Sequence, residues 1–407
     1  MPSKEEIQST IAQAMEESKD DIIKVAKELY EHPELAFEEH HAHDFITGYF
    51  QSLGEFKVTR HAYGLDTAFE VLYENGGRLV NFNAEMDALP DIGHGCGHNL
   101  IAACGCASFL ALVKILKKYN IPGSVQLLGT PAEESMGGKC KLVENGAYKG
   151  VSASFMAHPL VIENEGDLIQ LSSNSLLACS MIECEYTGAP AHASAFPWDG
   201  INAFDACIGS WVNISMLRQQ IRPYQRIHGY FKDVPTVSNV IPAKSTAVYQ
   251  FRSRLRNEVD ELKKKVENCC IAGATATGCS YKLKEVFSYS DMINVPSLVD
   301  ACYETAQDMC GDEYLLQKED EGHPDASGSS DIGNVSYEVP AIHIVYKIPT
   351  LEKCPQHSAG FAKSAGNLET SIPPTLASAK VLAASAYKVL TDDKLLETVQ
   401  NEHSKLI

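Results

Sequence analysis

The run Asp87-Ala88-Leu89-Pro90-Asp91-Ile92-Gly93-His94-Gly95-Cys96-Gly97-His98-Asn99 gathers two Asp, two His and a Cys, with glycines that let the backbone turn tightly. Imidazole, thiolate and carboxylate are the donors that suit zinc and similar divalent ions. Further donors follow in Thr130-Pro131-Ala132-Glu133-Glu134, Ala157-His158-Pro159 and Cys354-Pro355-Gln356-His357-Ser358. Together, Cys96, His98, Glu134, His158 and His357 exceed the ligand number of a closed structural zinc site. With Cys96 as a bridging thiolate they suit two ions roughly 3.5–4 Å apart, the arrangement that clamps a hydrolytic water. Adjacent carboxylates project differently, so Glu134 is expected to bind metal while Glu133 acts as general base and then acid. Asp87 reads as the partner that orients the His98 imidazole.

Each signal is weak alone. A loop His is commonly a surface residue, paired Glu residues suit a helix N-terminus, and a Cys packs as a small hydrophobe. The case rests on their recurrence at predicted strand ends. Leu79-Val80-Asn81-Phe82 reads as a buried strand entering the motif, and residues 100–113 as a buried helix leaving it, with Asn99 as its N-cap. A strand over 125–129 ends at Glu133-Glu134, one over 153–156 ends at His158, and one over 339–345 precedes the His357 loop. Parallel strands would bring these ends together.

Helical patterns over 5–31 and 38–53 and short strands at 57–59 and 68–72 precede this core. Helices over 295–309 and 370–390, with a polar stretch at 319–330 between them, follow. From residue 176 the order changes to strand, helix, strand, strand, helix, strand, the β-α-β-β-α-β pattern of a ferredoxin-like unit. The expected architecture is α/β: a mixed-sheet catalytic domain from 1–175 and 289–407, with 176–288 inserted.

A net charge of −19 disfavours nucleic acid and anionic membrane as partners. The longest apolar run, residues 100–116, is interrupted by Gly105 and Lys114, so no membrane span is expected. The first residues lack the apolar core of a secretion signal. Thirteen cysteines, including the adjacent Cys269 and Cys270, therefore read as reduced thiols of a cytoplasmic protein.

Asp87-Ala-Leu-Pro followed by His94-Gly-Cys96-Gly-His98-Asn99-Leu100 resembles the signature of the dinuclear metal amidohydrolases and peptidases related to aminoacylase and carboxypeptidase G. That family includes the indole-acetyl-amino-acid and aminobenzoyl-glutamate hydrolases. His32-Pro33-Glu34-Leu35, Gly188-Ala-Pro-Ala-His192-Ala, Asn239-Val-Ile-Pro242 and Ser329-Ser330-Asp331-Ile-Gly-Asn334 agree in order with it. Asn99 after Cys-Gly-His is similar to the cytosolic dipeptidases that release basic amino acids. The resemblance implies an aminopeptidase-like catalytic domain and an inserted lid or dimerisation domain. It also implies two Zn or Mn ions per chain and a homodimer. It places Cys96, His98, Glu134, His158 and His357 on the metal positions and Glu133 on the general base. By the same resemblance His192 stabilises the oxyanion, and Asn239 and Arg252 hold the substrate carboxylate, with Arg254 a competing candidate. Asn99, Ile101 and the stretch from Tyr346 to Cys354 depart from the commoner pattern. The expected activity is hydrolysis of an amide bond in a dipeptide or N-acyl amino acid. The alternatives are a deacylase of a specialised N-acyl or aryl-acyl conjugate, and a catalytically silent scaffold of the same fold.

Overall fold

Strand β3 carries the polar loop, and its position explains why so much of the chain is buried around it. The computed structural model describes residues 2–161, 168–171, 176–318, 328–350 and 353–407. Two compact units are present, one of Met1–Ser175, Met292–Gly322 and Asp331–Ile407, the other of Leu176–Asp291 and His323–Ser330.

In the first unit the order begins α1 (Lys4–Glu31), α2 (His40–Leu53), β1 (Lys57–Arg60), β2 (Phe69–Tyr73) and β3 (Leu79–Glu85). It continues α3 (His98–Lys118), β4 (Ser124–Thr130), α4 (Gly138–Glu144), β5 (Val151–Leu160) and β6 (Leu168–Leu171). The second unit follows as β7 (Ala178–Thr187), α5 (Ala203–Leu217), β8 (Arg226–Lys232), β9 (Lys244–Ser253), α6 (Arg256–Thr277) and β10 (Ser280–Tyr289). The first unit resumes with α7 (Pro296–Cys310), β11 (Leu315–Lys318), α8 (Ile332–Glu338), β12 (Ala341–Lys347), α9 (Ala359–Gly366), α10 (Leu368–Thr391) and α11 (Asp393–Leu406).

The first unit is built on an eight-stranded mixed sheet ordered β1-β2-β4-β3-β5-β12-β6-β11. Its centre, β4-β3-β5-β12, is parallel, so the C-terminal ends of these strands share one edge. Helix α3 is buried almost throughout, and its Phe109 shares one core with Phe82, Leu127 and Phe155 of the strands. Gly105 makes this close packing possible, since a Cβ there would stand 2.6 Å from the carbonyl oxygen of Asn83 on β3. Despite Gly105 and Lys114, α3 is long and apolar enough to cross a bilayer by length and composition alone. Because 89% of its apolar window is buried inside the protein, it is a core helix.

Two local expectations are corrected. Asn99 is not the N-cap of α3: Gly97 is, at φ 80°, and the helix begins at His98. The left-handed turn suits glycine, and a Cβ at Gly97 would meet Pro159 Cγ at 2.6 Å. Asn99 is buried instead, donating to the carbonyls of Ala26 and Ala365 at 3.4 and 3.2 Å. His158 does not follow a strand but lies within β5, opposite Val345, because β12 continues the parallel ladder as far as Leu160. The polar stretch expected at 319–330 lies outside the described residues up to 327, as do residues 351 and 352 of the stretch before His357.

The second unit has the element order β-α-β-β-α-β and one antiparallel sheet ordered β10-β7-β9-β8. This is the ferredoxin-like arrangement. Its core packs Tyr186 and Phe251 of the sheet against Leu262 and Val266 of α6.

Candidate metal centre

The turn after β4 presents Glu133 and Glu134, and two buried carboxylates hold it in place. Glu39 Oε1 accepts the Ala132 amide at 2.8 Å. Asp87 Oδ1 and Oδ2 accept the amides of Glu133 and Glu134 at 3.1 and 2.9 Å. Ala132 adopts φ 59°, a conformation rare outside glycine that is held here by its surroundings. Asp87 also lies 3.1 Å from His98 Nδ1, so one residue orients an imidazole and a pair of glutamates.

The imidazoles are set as ligands by their far sides. His98 donates from Nδ1 to Asp87, and His158 donates from Nδ1 to the Pro159 carbonyl at 2.8 Å. Both therefore turn Nε2, the ring nitrogen left for a ligand role, inward. Cys96 Sγ lies 3.4 Å from His158 Nε2 and 3.3 Å from His357 Nε2. Glu134 Oε1 lies 3.6 Å from His357 Nε2 and 3.8 Å from His98 Nε2. Cys96, His98 and His158 form one group of converging donors, and Cys96, Glu134 and His357 form another. The thiol is the shared vertex. His94, the other histidine of the loop, turns away and bonds the Leu29 carbonyl at 2.8 Å.

These residues fit a divalent cation. His98 Nε2, Glu134 Oε1 and Glu85 Oε2 are buried without a hydrogen-bond partner, and all face the same space. Buried polar atoms are rarely left so, and a cation would satisfy them together. Burial, reinforced by the Glu134 charge, raises the Cys96 thiol well above its ordinary range, so it keeps its proton until a cation is near. Burial lowers His158 to about 4, which keeps it a neutral ligand. Burial and the charges of Glu85 and Glu134 raise Glu133 well above the usual carboxylate range. Burial opposes the charge of His98, but Glu85 and Asp87 outweigh it and raise its pKa.

Sequence reasoning missed the charges behind the donors. Lys139 Nζ lies 2.5 Å from Glu85 Oε1 and 2.7 Å from Asp331 Oδ1, and its amide donates to Asp331 Oδ2 at 2.8 Å. Glu85 Oε2 lies 3.4 Å from His98 Nε2, which links this triad to the donors. One signal was available: Asn81, Asn83 and Glu85 on β3, and Asp87 just after it, recur at every second position of an otherwise apolar stretch. Gln356 was also missed; its Nε2 lies 3.3 Å from Cys96 Sγ.

His192, Asn239 and Arg252 belong to the second unit. His192 is exposed, and its Nδ1 accepts the amides of Ser194 and Ala195 at 3.2 and 3.1 Å, which leaves the proton on Nε2. The Asn239 carbonyl accepts the Ala193 amide at 3.0 Å, so these two segments run side by side. Arg252 Nη1 donates to Ser329 Oγ at 3.1 Å, whereas the Arg254 guanidinium lies 4.0 Å over the Tyr224 ring.

Comparison with known proteins agrees with this chemistry. Residues 81–372 match the model of peptidase family M20/M25/M40. The chain is 37% identical over 404 residues to the mouse (Mus musculus) Xaa-Arg dipeptidase, covering 96% of this chain and 90% of that protein. It is 35% identical over 408 residues to the Homo sapiens Xaa-Arg dipeptidase, with the same coverage of each. The crystal structure of an aminobenzoyl-glutamate utilization protein from Klebsiella pneumoniae shares the fold at a TM-score of 0.72 and 15% identity, covering 93% of this chain and 97% of that one. The match across most of the chain, with the identity to full-length relatives, shows that this protein belongs to peptidase family M20/M25/M40.

Proposed function

We propose that this protein is a two-metal hydrolase that cleaves the amide bond of a dipeptide or N-acyl amino acid beside a free carboxylate. The observation that carries the proposal is the sharing of Cys96 between two converging donor groups, one with His98 and His158, the other with Glu134 and His357. Zinc or manganese bound there would polarise a carbonyl and make hydroxide available near neutral pH.

The protein's own groups carry the remaining steps. Glu133 takes the proton of the attacking water and returns it to the leaving amine. Asp87 holds His98 and the Glu133-Glu134 turn in register for that transfer. His192, with its proton on Nε2, is suited to donate to the developing oxyanion. Asn239 and Arg252 are assigned to the substrate carboxylate, which a guanidinium can hold with two parallel hydrogen bonds. Stacking of Arg254 on Tyr224 favours Arg252 for that role. Both mammalian relatives named above are Xaa-Arg dipeptidases, so a basic C-terminal residue is the first substrate to try.

A homodimer is proposed through the second unit. Strand β8 lies at the edge of its sheet, and α5 exposes Ile208, Val212 and Met216 along one face. A cytoplasmic site is proposed because all thirteen cysteines are free thiols, which suits a reducing compartment.

The deciding experiment measures metal per chain, then activity of the apoprotein with zinc or manganese restored. The substrates are dipeptides ending in Lys, Arg or ornithine, set beside N-acetyl, aryl-acyl and fatty-acyl amino acids. Metal-dependent cleavage of the first group supports the dipeptidase, and cleavage only of the second group makes the protein a deacylase. No bound ion and no cleavage would favour a silent scaffold.

A further inference from the structure

Away from the donor groups around the motif loop, another group of metal-type donors lies where α1 meets α2. Glu28 and His32 stand one helical turn apart at the end of α1, and His41 lies in the first turn of α2. Glu28 Oε2 is 3.1 Å from His41 Nε2 and 3.7 Å from His32 Nε2, and the two imidazole rings lie 4.3 Å apart between centroids. The three donor atoms all fall within 4.8 Å of one another. A tetrahedral zinc with bonds of about 2.0–2.1 Å separates its ligand atoms by roughly 3.3 Å, so small side-chain adjustments close this group around an ion.

The backbone under the donors is fixed. Glu34 accepts the amides of His41 and Ala42 at 2.8 and 3.0 Å, which caps the start of α2, and the His32 amide bonds the Glu28 carbonyl at 3.0 Å. Side-chain exposures of 53% for His32, 41% for His41 and 33% for Glu28 leave solvent access for a fourth, water ligand. Glu31, Glu34 and Glu38 nearby in sequence add negative charge that favours a cation.

We propose that Glu28, His32 and His41 form a peripheral binding site for one divalent transition ion of the zinc class. Two imidazoles and one carboxylate are a common donor set for such ions. The turn that carries the site is bonded to the motif loop. The Glu34 carbonyl accepts the Ala88 amide at 2.7 Å, and the Leu29 carbonyl is bonded by His94. An ion here therefore braces the α1–α2 turn against the loop that bears Cys96.

The test compares the full-length parent with the double variant His32→Ala/His41→Ala, both equilibrated with the same micromolar free zinc. Elemental analysis is expected to find one more zinc per chain in the parent. Added zinc is expected to raise the unfolding temperature of the parent more than that of the variant, because binding to the folded state alone stabilises it. The variant Glu28→Gln, which keeps both rings, is expected to weaken binding of this equivalent about tenfold or more. It also serves if the double variant does not fold. Equal zinc content and equal thermal shift in the parent and the folded variants would overturn the proposal. The same comparison in a Cys96→Ala background keeps the readout apart from the occupancy of the Cys96 centre.

Discussion

Lys139 and Glu85 form a fully buried ion pair of 2.5 Å, and the second oxygen of Glu85 faces the metal-type nitrogen of His98. Asp331 completes the triad, its Oδ1 lying 2.7 Å from the same ammonium. A single buried cation thus balances two carboxylates beside the donors. Removing only the cation leaves both carboxylates uncompensated. Lys139→Met is expected to destabilise the protein by roughly 3–5 kcal/mol. The double variant Glu85→Gln/Lys139→Met should lose less than the two single changes summed. Denaturant unfolding of all three variants checks this, and strict additivity would mean that the pair is not coupled.

Among the described residues Cys96 joins the His98–His158 group to the Glu134–His357 group, while His98 and Glu134 meet again in a further group with Glu133. Cys96→Ala should therefore weaken both ions, whereas His158→Ala and His357→Ala should each release one. Metal content of the three variants after the same dialysis distinguishes these outcomes, and a full complement in Cys96→Ala would remove the shared vertex.

Glu133 is offered as the base and is not among the five proposed ligands. Glu133→Gln should keep its metal while turnover falls by about 10²–10⁴. Steady-state kinetics beside metal analysis tests both halves of this statement. Loss of metal with loss of rate would make Glu133 a ligand.

Glu39 gives a stability signature that tracks pH. Burial, reinforced by the Asp87 charge, raises its pKa from 4.5 to about 7. The folded state then binds this proton more tightly than the unfolded state, so its contribution to stability is present below about pH 4.5 and is lost as pH rises through 7. The full difference is about 3 kcal/mol at most. Glu39→Gln, which retains a carbonyl to accept the Ala132 amide, should flatten this part of the profile. Thermal melts of the metal-free parent and variant across that range provide the check.

The five candidate donors were legible in the sequence because each sits beside a recognisable strand or motif, and the parallel sheet centre brings their donor atoms near one another. It misplaced His158 because His-Pro reads as a break, whereas pairing with β12 carries the strand through it. It misread Asn99 because cap chemistry favours Asn, whereas close approach to Pro159 and a left-handed turn require Gly97. The Glu85–Lys139–Asp331 triad joins residues 54 and 192 positions apart, and no periodicity records such a pairing. The short strands β6 and β11 carry too few residues for alternation to mark them.

His158 and His357 are anchored differently, and for the two-metal site proposed above this sets an expected order of demetallation. His158 sits on a central strand with its Nδ1 bonded to the Pro159 carbonyl, so its ring is expected to move less freely. His357 stands at φ 60° on a loop, with 53% of its side chain in solvent and its amide tied to the Gly95 carbonyl. A chelator would therefore strip the Glu134–His357 side in a fast phase governed by loop motion. The Cys96–His98–His158 side would follow in a slow phase limited by breathing of the whole domain.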